Sequence, residues 1–241
     1  MRLVFTDLDD TLFATARHHT SVEGLPVVSH TVAGEPSGYQ HQAHQDIWAW
    51  LQQFGDIIPV TARTHNALSR VVLPFSPHQI WNSGLSVQIN GEFDQLWHEK
   101  MSVLLRSANH ALEPVWNTLK SAHPDCEEHL VVPKEFDGLV AQWGLRAASP
   151  EMAREVKRAI ASALTERALP FWVHNQSDKW LYVTPNGMGK HFAVRHLLDA
   201  LNPQTSVGVG DNPSDIPFMR LCDYTLFPSQ CLALTPFNDP L

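Results

Sequence analysis

The first apolar run, Leu3-Val4-Phe5-Thr6, stops at three acids crowded into four positions, Asp7-Leu8-Asp9-Asp10, with Thr11 behind them. A short β-prone run that ends in charge suits a buried strand whose carboxyl end opens onto a site. From Ala14 to about Gln40 the helical period disappears and Gly, Pro, Ser, Thr and His take over, which predicts a long flap or mobile loop around a VVSHTV ribbon. In HQDIWAWLQQFG, Ile47, Trp50, Leu51 and Phe54 share one helical face, and Gly55 is placed to stop the helix. DIIPV then reads as a strand ending at Thr61, and THNALSRVVL as a helix that ends before Pro74.

LSVQI and EFDQL flank Asn90-Gly91, the strongest short hairpin signal available, and this pair breaks the strand and helix alternation. His98 to Ala122 is a long helical stretch predicted to kink or divide at Pro114. HLVV and DGLVAQWGLR read as strands, and a helix follows from about Ser149 to Ala168, with Ser149 as its cap and Glu151 and Glu155 near its positive end. FWVH and KWLYV are strands. From Gly187 onward KHFAVRHLLDAL, TSVGVG, PSDIPFMRL and DYTLF restore the alternation of helix and strand. The whole reads as an α/β chain. A discontinuous parallel-sheet core with flanking helices, residues 1–83 and 185–241, carries an inserted smaller α+β cap domain, residues 84–184.

Composition narrows the function without naming it. The 241 residues carry 17 basic and 25 acidic side chains, a formal net charge of -8, which argues against nucleic acid or an anionic membrane as a partner held by bulk electrostatics. A local basic pocket for phosphate remains compatible with that charge. Cys126, Cys222 and Cys231 form no CxxC pair, so the natural compartment is a reducing cytoplasm. No apolar run approaches the ~18 residues of a membrane span, and Asp7 interrupts the start before a signal-peptide core can form. A soluble, unprocessed protein is expected. Oligomeric state is not encoded in these patterns.

Four stretches carry candidate chemistry. In an extended or looping segment Asp7 and Asp9 face the same way, and two close carboxylates need a cation or a proton between them. Mg²⁺ suits one or two carboxylates plus phosphate oxygens; a solvated acidic turn is the other reading. Thr61, ending the strand before Ala62-Arg63, can donate to a phosphate oxygen or can serve as a helix N-cap. Lys190 in Gly187-Met188-Gly189-Lys190 stands at a helix start, where a cation is unfavourable unless it pairs with an anion; a solvated lysine is the alternative. Asp211 and Asp215, in Gly210-Asp211-Asn212-Pro213-Ser214-Asp215, can turn toward one spot at the end of a strand, or simply complement a helix N-terminus.

In order and identity these four stretches resemble the haloacid dehalogenase superfamily of phosphotransferases, which pairs DxDxT with a strand-terminal Thr or Ser, a later Lys and an acidic GDxxxD-like motif. The inserted segment looks like the α+β cap of the sugar phosphatase branch. KWLYVTPNGMGKHFAVRHLL is similar to the segment around the lysine in sucrose-phosphate and mannosyl-phosphoglycerate phosphatases, with His191, Val194 and Asp10 departing from the usual residues. The resemblance implies a Rossmann-like core and Asp7 as nucleophile, with Asp9 as general acid and then base. It also implies Mg²⁺ held by Asp7, the backbone carbonyl of Asp9 and Asp211, with Asp215 as a further ligand or orienter, and phosphate bound by Thr61 and Lys190. Thr11, Arg63 and Asn212 are secondary candidates.

The expected activity is therefore hydrolysis of a small phosphorylated metabolite, a sugar or polyol phosphate, through an aspartyl-phosphate. A phosphomutase and a non-catalytic metal- or metabolite-binding module are the alternatives. His174, Asn175, Asp178 and Lys179, between two predicted cap strands, are candidates for substrate contact, with a solvent-facing hairpin tip as the competing reading. His41 and His44 have ligand-like spacing but no acidic or Cys partner at zinc-site spacing, so helix-surface histidines are expected. His18, His19 and His30 are expected in the early loop.

Overall fold

The apolar runs are laid out in a computed structural model that describes residues 1–175, 177–229 and 231. In chain order the first elements are β1 (Arg2–Thr6), β2 (Val27–His30), β3 (Pro36–Tyr39), α1 (Gln42–Phe54), β4 (Asp56–Pro59) and α2 (His65–Leu68). Next come β5 (Gln79–Trp81), β6 (Ser86–Ile89), β7 (Glu92–Phe93), α3 (Gln95–Ala122), β8 (Glu127–Val131) and β9 (Gln142–Arg146). They are followed by α4 (Pro150–Glu166), β10 (Phe171–Asn175), β11 (Trp180–Pro185), α5 (Lys190–Leu201), β12 (Thr205–Val209), α6 (Ile216–Met219) and β13 (Tyr224–Leu226).

Two compact units result, Met1–Gln95 with the chain from Gly189 onward, and Leu96–Met188. The first is built on a parallel sheet in the order β13-β12-β1-β4. Strands buried on both faces need continuous apolar sequence, and Leu3, Val4 and Phe5 of β1 are fully buried. Val4, Ile57, Val207 and Val209 join Trp48 and Leu51 of α1 in one cluster. The opposite face takes α6, where Gly208 of β12 lies against Met219, and α5 packs beside α6. The α/β class and flanked parallel sheet expected from the pattern are the ones observed.

The Asn90-Gly91 hairpin forms, with both turn residues at positive φ, 53° and 83°. Its strands belong to the first unit, because β5 continues the pairing beyond β4: Val60 bridges Ile80 in parallel and Thr61 N–H donates to Ile80 O at 3.1 Å. The unit boundaries thus fall at 95/96 and 188/189, where the sequence pattern suggests 84 and 184. The ribbon expected around VVSHTV forms, while the flap or mobile loop expected of the rest of the 14–40 segment is tied to the core. β2 and β3 pair as a ribbon, Val28 and Ser29 are buried, and Ala14 and Tyr39 exchange backbone hydrogen bonds.

Two predicted helices are much shorter than their apolar pattern. Thr64 caps α2, accepting from Ala67 N–H at 3.2 Å, but Val71 and Val72 are drawn off to pair with β2, so no helix continues toward Pro74. Before α6 the Asn212 side chain accepts from Ser214 N–H and holds residues 212–214 in a turn. The reverse holds for α3, which runs unbroken through Pro114. Pro114 and His110 are both exposed, so the turn that loses a hydrogen bond to the ring lies on the outer side of the helix.

The second unit is a two-layer α+β body. Its antiparallel sheet has the order β10-β11-β9-β8. Leu112, Val115, Trp116 and Leu119 of α3 and Val156, Ile160 and Leu164 of α4 pack on Trp143, Leu145, Leu181 and Val183. Ser149 caps α4 as its position suggests, accepting from Met152 N–H at 3.2 Å. Among the described residues no helix is long and apolar enough to cross a membrane.

One contact tests how tightly the first unit is packed. A Cβ at Gly208 would lie 2.7 Å from Met219 Cα, so the sheet and α6 approach at a spacing only glycine allows. Gly208→Ala is expected to destabilise the protein by about 1–3 kcal/mol, seen as a lower thermal midpoint. An unchanged midpoint contradicts this packing.

Candidate active site

The site begins where three parallel strands end together. Asp7 N–H donates to Val209 O at 2.9 Å and Val60 N–H to Thr6 O at 2.7 Å, so pairing persists one residue past β1 and β4. Asp7, Thr61 and Asp211 are therefore all carried at the carboxyl edge of the sheet, where open α/β sheets form their ligand crevices. The chain then turns sharply. Leu12 N–H bonds to Leu8 O at 2.9 Å, and Asp10 takes a left-handed conformation at φ 59°.

That turn separates two carboxylates that simple alternation would aim at one point. Asp7 faces Lys190, whose Nζ donates to Asp7 Oδ1 at 2.6 Å and to Asp215 Oδ1 at 2.7 Å. Asp9 faces Arg63 instead: Nε and Nη2 meet Oδ2 and Oδ1 at 2.8 and 2.7 Å, a two-pronged contact. Asp215 is fully buried and also accepts from Asn212 N–H through Oδ2 at 3.1 Å. Thr11 Oγ1 donates to Asp211 Oδ1 at 2.9 Å, orienting that carboxylate. Thr61 is buried, and its Oγ1 accepts from Arg63 N–H at 3.1 Å, so it closes a turn while Thr64 is the true helix cap.

Asp7, Asp211 and Asp215 can each turn an oxygen to within 4.8 Å of the others. The charge balance follows from this crowding. Burial, with help from Asp215 and Asp211, pushes the Asp7 carboxyl up to about 7 against the pull of Lys190. Burial likewise pushes Asp211 up to about 6, against the Thr11 hydrogen bond and with help from Asp215 and Asp10. Burial works against the Lys190 charge, but Asp7 and Asp215 outweigh it and hold the ammonium above its ordinary value. The donor set is hard oxygen in a negative pocket, and it fits a divalent cation of the Mg²⁺ kind.

The remaining candidates sit elsewhere. His174, Asn175 and Lys179 belong to the second unit, around the β10–β11 hairpin. His174 stacks between Trp172 and Tyr182, Asn175 accepts from Lys157 Nζ at 2.5 Å, and Lys179 and Asp178 are exposed. His41 is the N-cap of α1 rather than a surface-only residue, and its ring stacks on His44 at 3.6 Å. Sequence reasoning missed Ser29, which is fully buried and accepts from Arg63 Nη1 at 3.0 Å. A lone serine in a stretch without periodicity gives no signal.

No described protein family and no curated protein sequence matches this chain. Solved structures do match. The sucrose-phosphatase of Synechocystis sp. PCC6803, in complex with sucrose and phosphate, superposes with a TM-score of 0.61 at 14% identity, over 97% of this chain and 94% of that one. The trehalose-6-phosphate phosphatase of Aspergillus fumigatus gives 0.58 at 15% identity, over 95% and 84%. A trehalose-6-phosphate phosphatase related protein gives 0.52 at 16% identity, over 96% and 89%. At these identities the likeness is one of fold: this chain shares the fold of solved structures described as sucrose-phosphatase and trehalose-6-phosphate phosphatase.

The raised carboxyls make a pH prediction. With Asp7 and Asp211 shifted up to about 7 and about 6 from 3.8, the metal-free folded state holds protons that the unfolded chain releases. Their contribution to stability is complete below the unfolded value and is lost as pH rises through the folded values. A divalent cation held by these carboxylates would compete with those protons, so stabilisation by added Mg²⁺ is expected to grow from pH 5 to pH 8 and to vanish in Asp211→Asn. Thermal midpoints with and without Mg²⁺ check this, and an equal Mg²⁺ increment at both pH values contradicts it.

Proposed function

We propose that this chain is a Mg²⁺-dependent phosphatase that hydrolyses a small phosphorylated metabolite, a sugar phosphate or polyol phosphate. The observation that carries the reading is the buried Asp7–Lys190–Asp215 network with Asp211 within reach of the same point. An isolated stability role explains it poorly, since buried ion pairs repay their desolvation only partly. The phosphatase structures that share this fold support the reaction class, and the sucrose and phosphate in one of them support the substrate class.

Asp7 is the nucleophile. Its carboxylate oxygen bonds to phosphorus as the bond to the leaving oxygen breaks, giving an aspartyl-phosphate. Asp9 gives its proton to the departing alcohol, then takes one from the water that cleaves the acyl phosphate and frees inorganic phosphate. Lys190 neutralises Asp7 at rest and, with Thr61, binds the phosphate oxygens during transfer. Asp7, Asp211, Asp215 and the Asp9 backbone carbonyl would hold Mg²⁺, whose charge would offset the repulsion between carboxylate and phosphate. Thr11 and Asn212 act on Asp211 and Asp215 through the hydrogen bonds described above.

His174, Asn175 and Lys179, in the unit Leu96–Met188, are the candidates for recognising the part of the ester that departs. The thiols of Cys126, Cys222 and Cys231 are free, which supports a reducing cytoplasm as the working compartment.

A panel of phosphate esters with purified wild type and Asp7→Asn, each with Mg²⁺ or with EDTA, tests the reading. Wild type with Mg²⁺ is expected to release phosphate from a sugar phosphate, and Asp7→Asn to lose on the order of a thousandfold or more. Equal rates in the two proteins, or full activity in EDTA, contradict it.

A further inference from the structure

The β2–β3 ribbon reaches the site through one hydroxyl. Ser29 Oγ accepts from Arg63 Nη1 at 3.0 Å and from Ser37 Oγ at 3.2 Å, and the residue has no exposed surface. The ribbon that holds it is itself fixed: Ser29 bridges Val71, and His30 N–H donates to Arg70 O at 3.2 Å. Gly38 on β3 lets the strands close here, since a Cβ would lie 2.7 Å from the Phe13 ring and 2.8 Å from Ser29 Cβ. Arg63 is thus constrained on several sides. Ser29 and Ala67 O take Nη1, the Phe13 ring lies under the guanidinium at 5.2 Å, and the remaining edge meets both oxygens of Asp9.

Asp9 itself has a side chain 46% exposed, and both of its carboxylate oxygens are engaged by Arg63. The planar fork of Arg63 thus selects the Asp9 rotamer, and the fork's own orientation depends on what fixes its far side. We propose that Ser29, on the β2–β3 ribbon, is a positioning residue that fixes Arg63 and through it the Asp9 side chain, whose carboxyl form gives its proton to the leaving oxygen and whose carboxylate form then takes one from water. The inference rests on the phosphatase reading above and gives the 14–40 segment a role in it.

Proton delivery matters only when the leaving group needs a proton. A sugar alkoxide does, whereas p-nitrophenolate departs without one, and kcat/KM covers every step up to that departure. For Ser29→Ala we expect kcat/KM to fall about tenfold on a sugar phosphate and less than about twofold on p-nitrophenyl phosphate. Arg63→Lys keeps the charge but loses the fork, and it should show the same split, about a hundredfold against a few-fold. It carries the test should Ser29→Ala not fold. Equal losses on both esters reduce Ser29 and Arg63 to structural roles and overturn the proposal, as does no loss on either. Wild type inactive on both esters overturns the phosphatase reading, and this inference with it; an active wild type without the split overturns this inference alone.

Discussion

One ammonium group between two buried carboxylates organises this site. Lys190 lies 2.6 Å from Asp7 and 2.7 Å from Asp215, and its side chain is only 12% exposed. Removing such a cation leaves two acids facing each other in a poorly solvated place, a cost of several kcal/mol in comparable buried pairs. The energy spent holding unlike charges out of water yields little net stability. On the proposed reading it yields a place where a phosphate meets a positive charge already in position.

The sheet makes this possible. Parallel strands β4, β1 and β12 end in register, so residues from positions 7, 61 and 211 arrive at one edge although they are far apart along the chain. α5 presents Lys190 from its first position, and the turn before α6 presents Asp215, fully buried, against it. The close passage of β12 over Met219 sets how near α6 can bring that acid. Packing of the core and charge balance at the site are thus parts of one constraint.

How much of this is legible in the chain depends on the range of the interactions. β1, β12 and their acids are visible because an apolar run stopping at charge is a local signal. The reach of Lys190 to Asp7 follows from resemblance of motifs, not from any local pattern. The Asp9–Arg63 pair is not visible at all: it joins residues 54 positions apart, and alternation along a strand sends Asp9 toward Asp7. The first strand of the ribbon is suggested by VVSHTV, but its partner β3 and its attachment to the core are hidden for a related reason. The two strands are short, interrupted by Gly and Pro, and stabilised by Phe13 and Val71 rather than by their own alternation. Pro114 misleads in the opposite direction, because sequence shows the lost hydrogen bond but not that His110 and Pro114 lie on the exposed side of the helix. The β5–β7 sheet breaks the alternation of strand and helix and so looks inserted, while the Val60–Ile80 bridge and backbone hydrogen bonds to Thr61 and Arg63 tie it to the core.

The central claim is that Asp7 takes up a phosphoryl group beside a cation that it shares with Asp211 and Asp215. A crystal structure grown with Mg²⁺ and beryllofluoride tests it most directly. The account predicts beryllium bonded to an Asp7 oxygen, with Mg²⁺ bound by Asp7 and Asp211. Beryllofluoride on any other side chain, or Mg²⁺ bound away from these carboxylates, contradicts it.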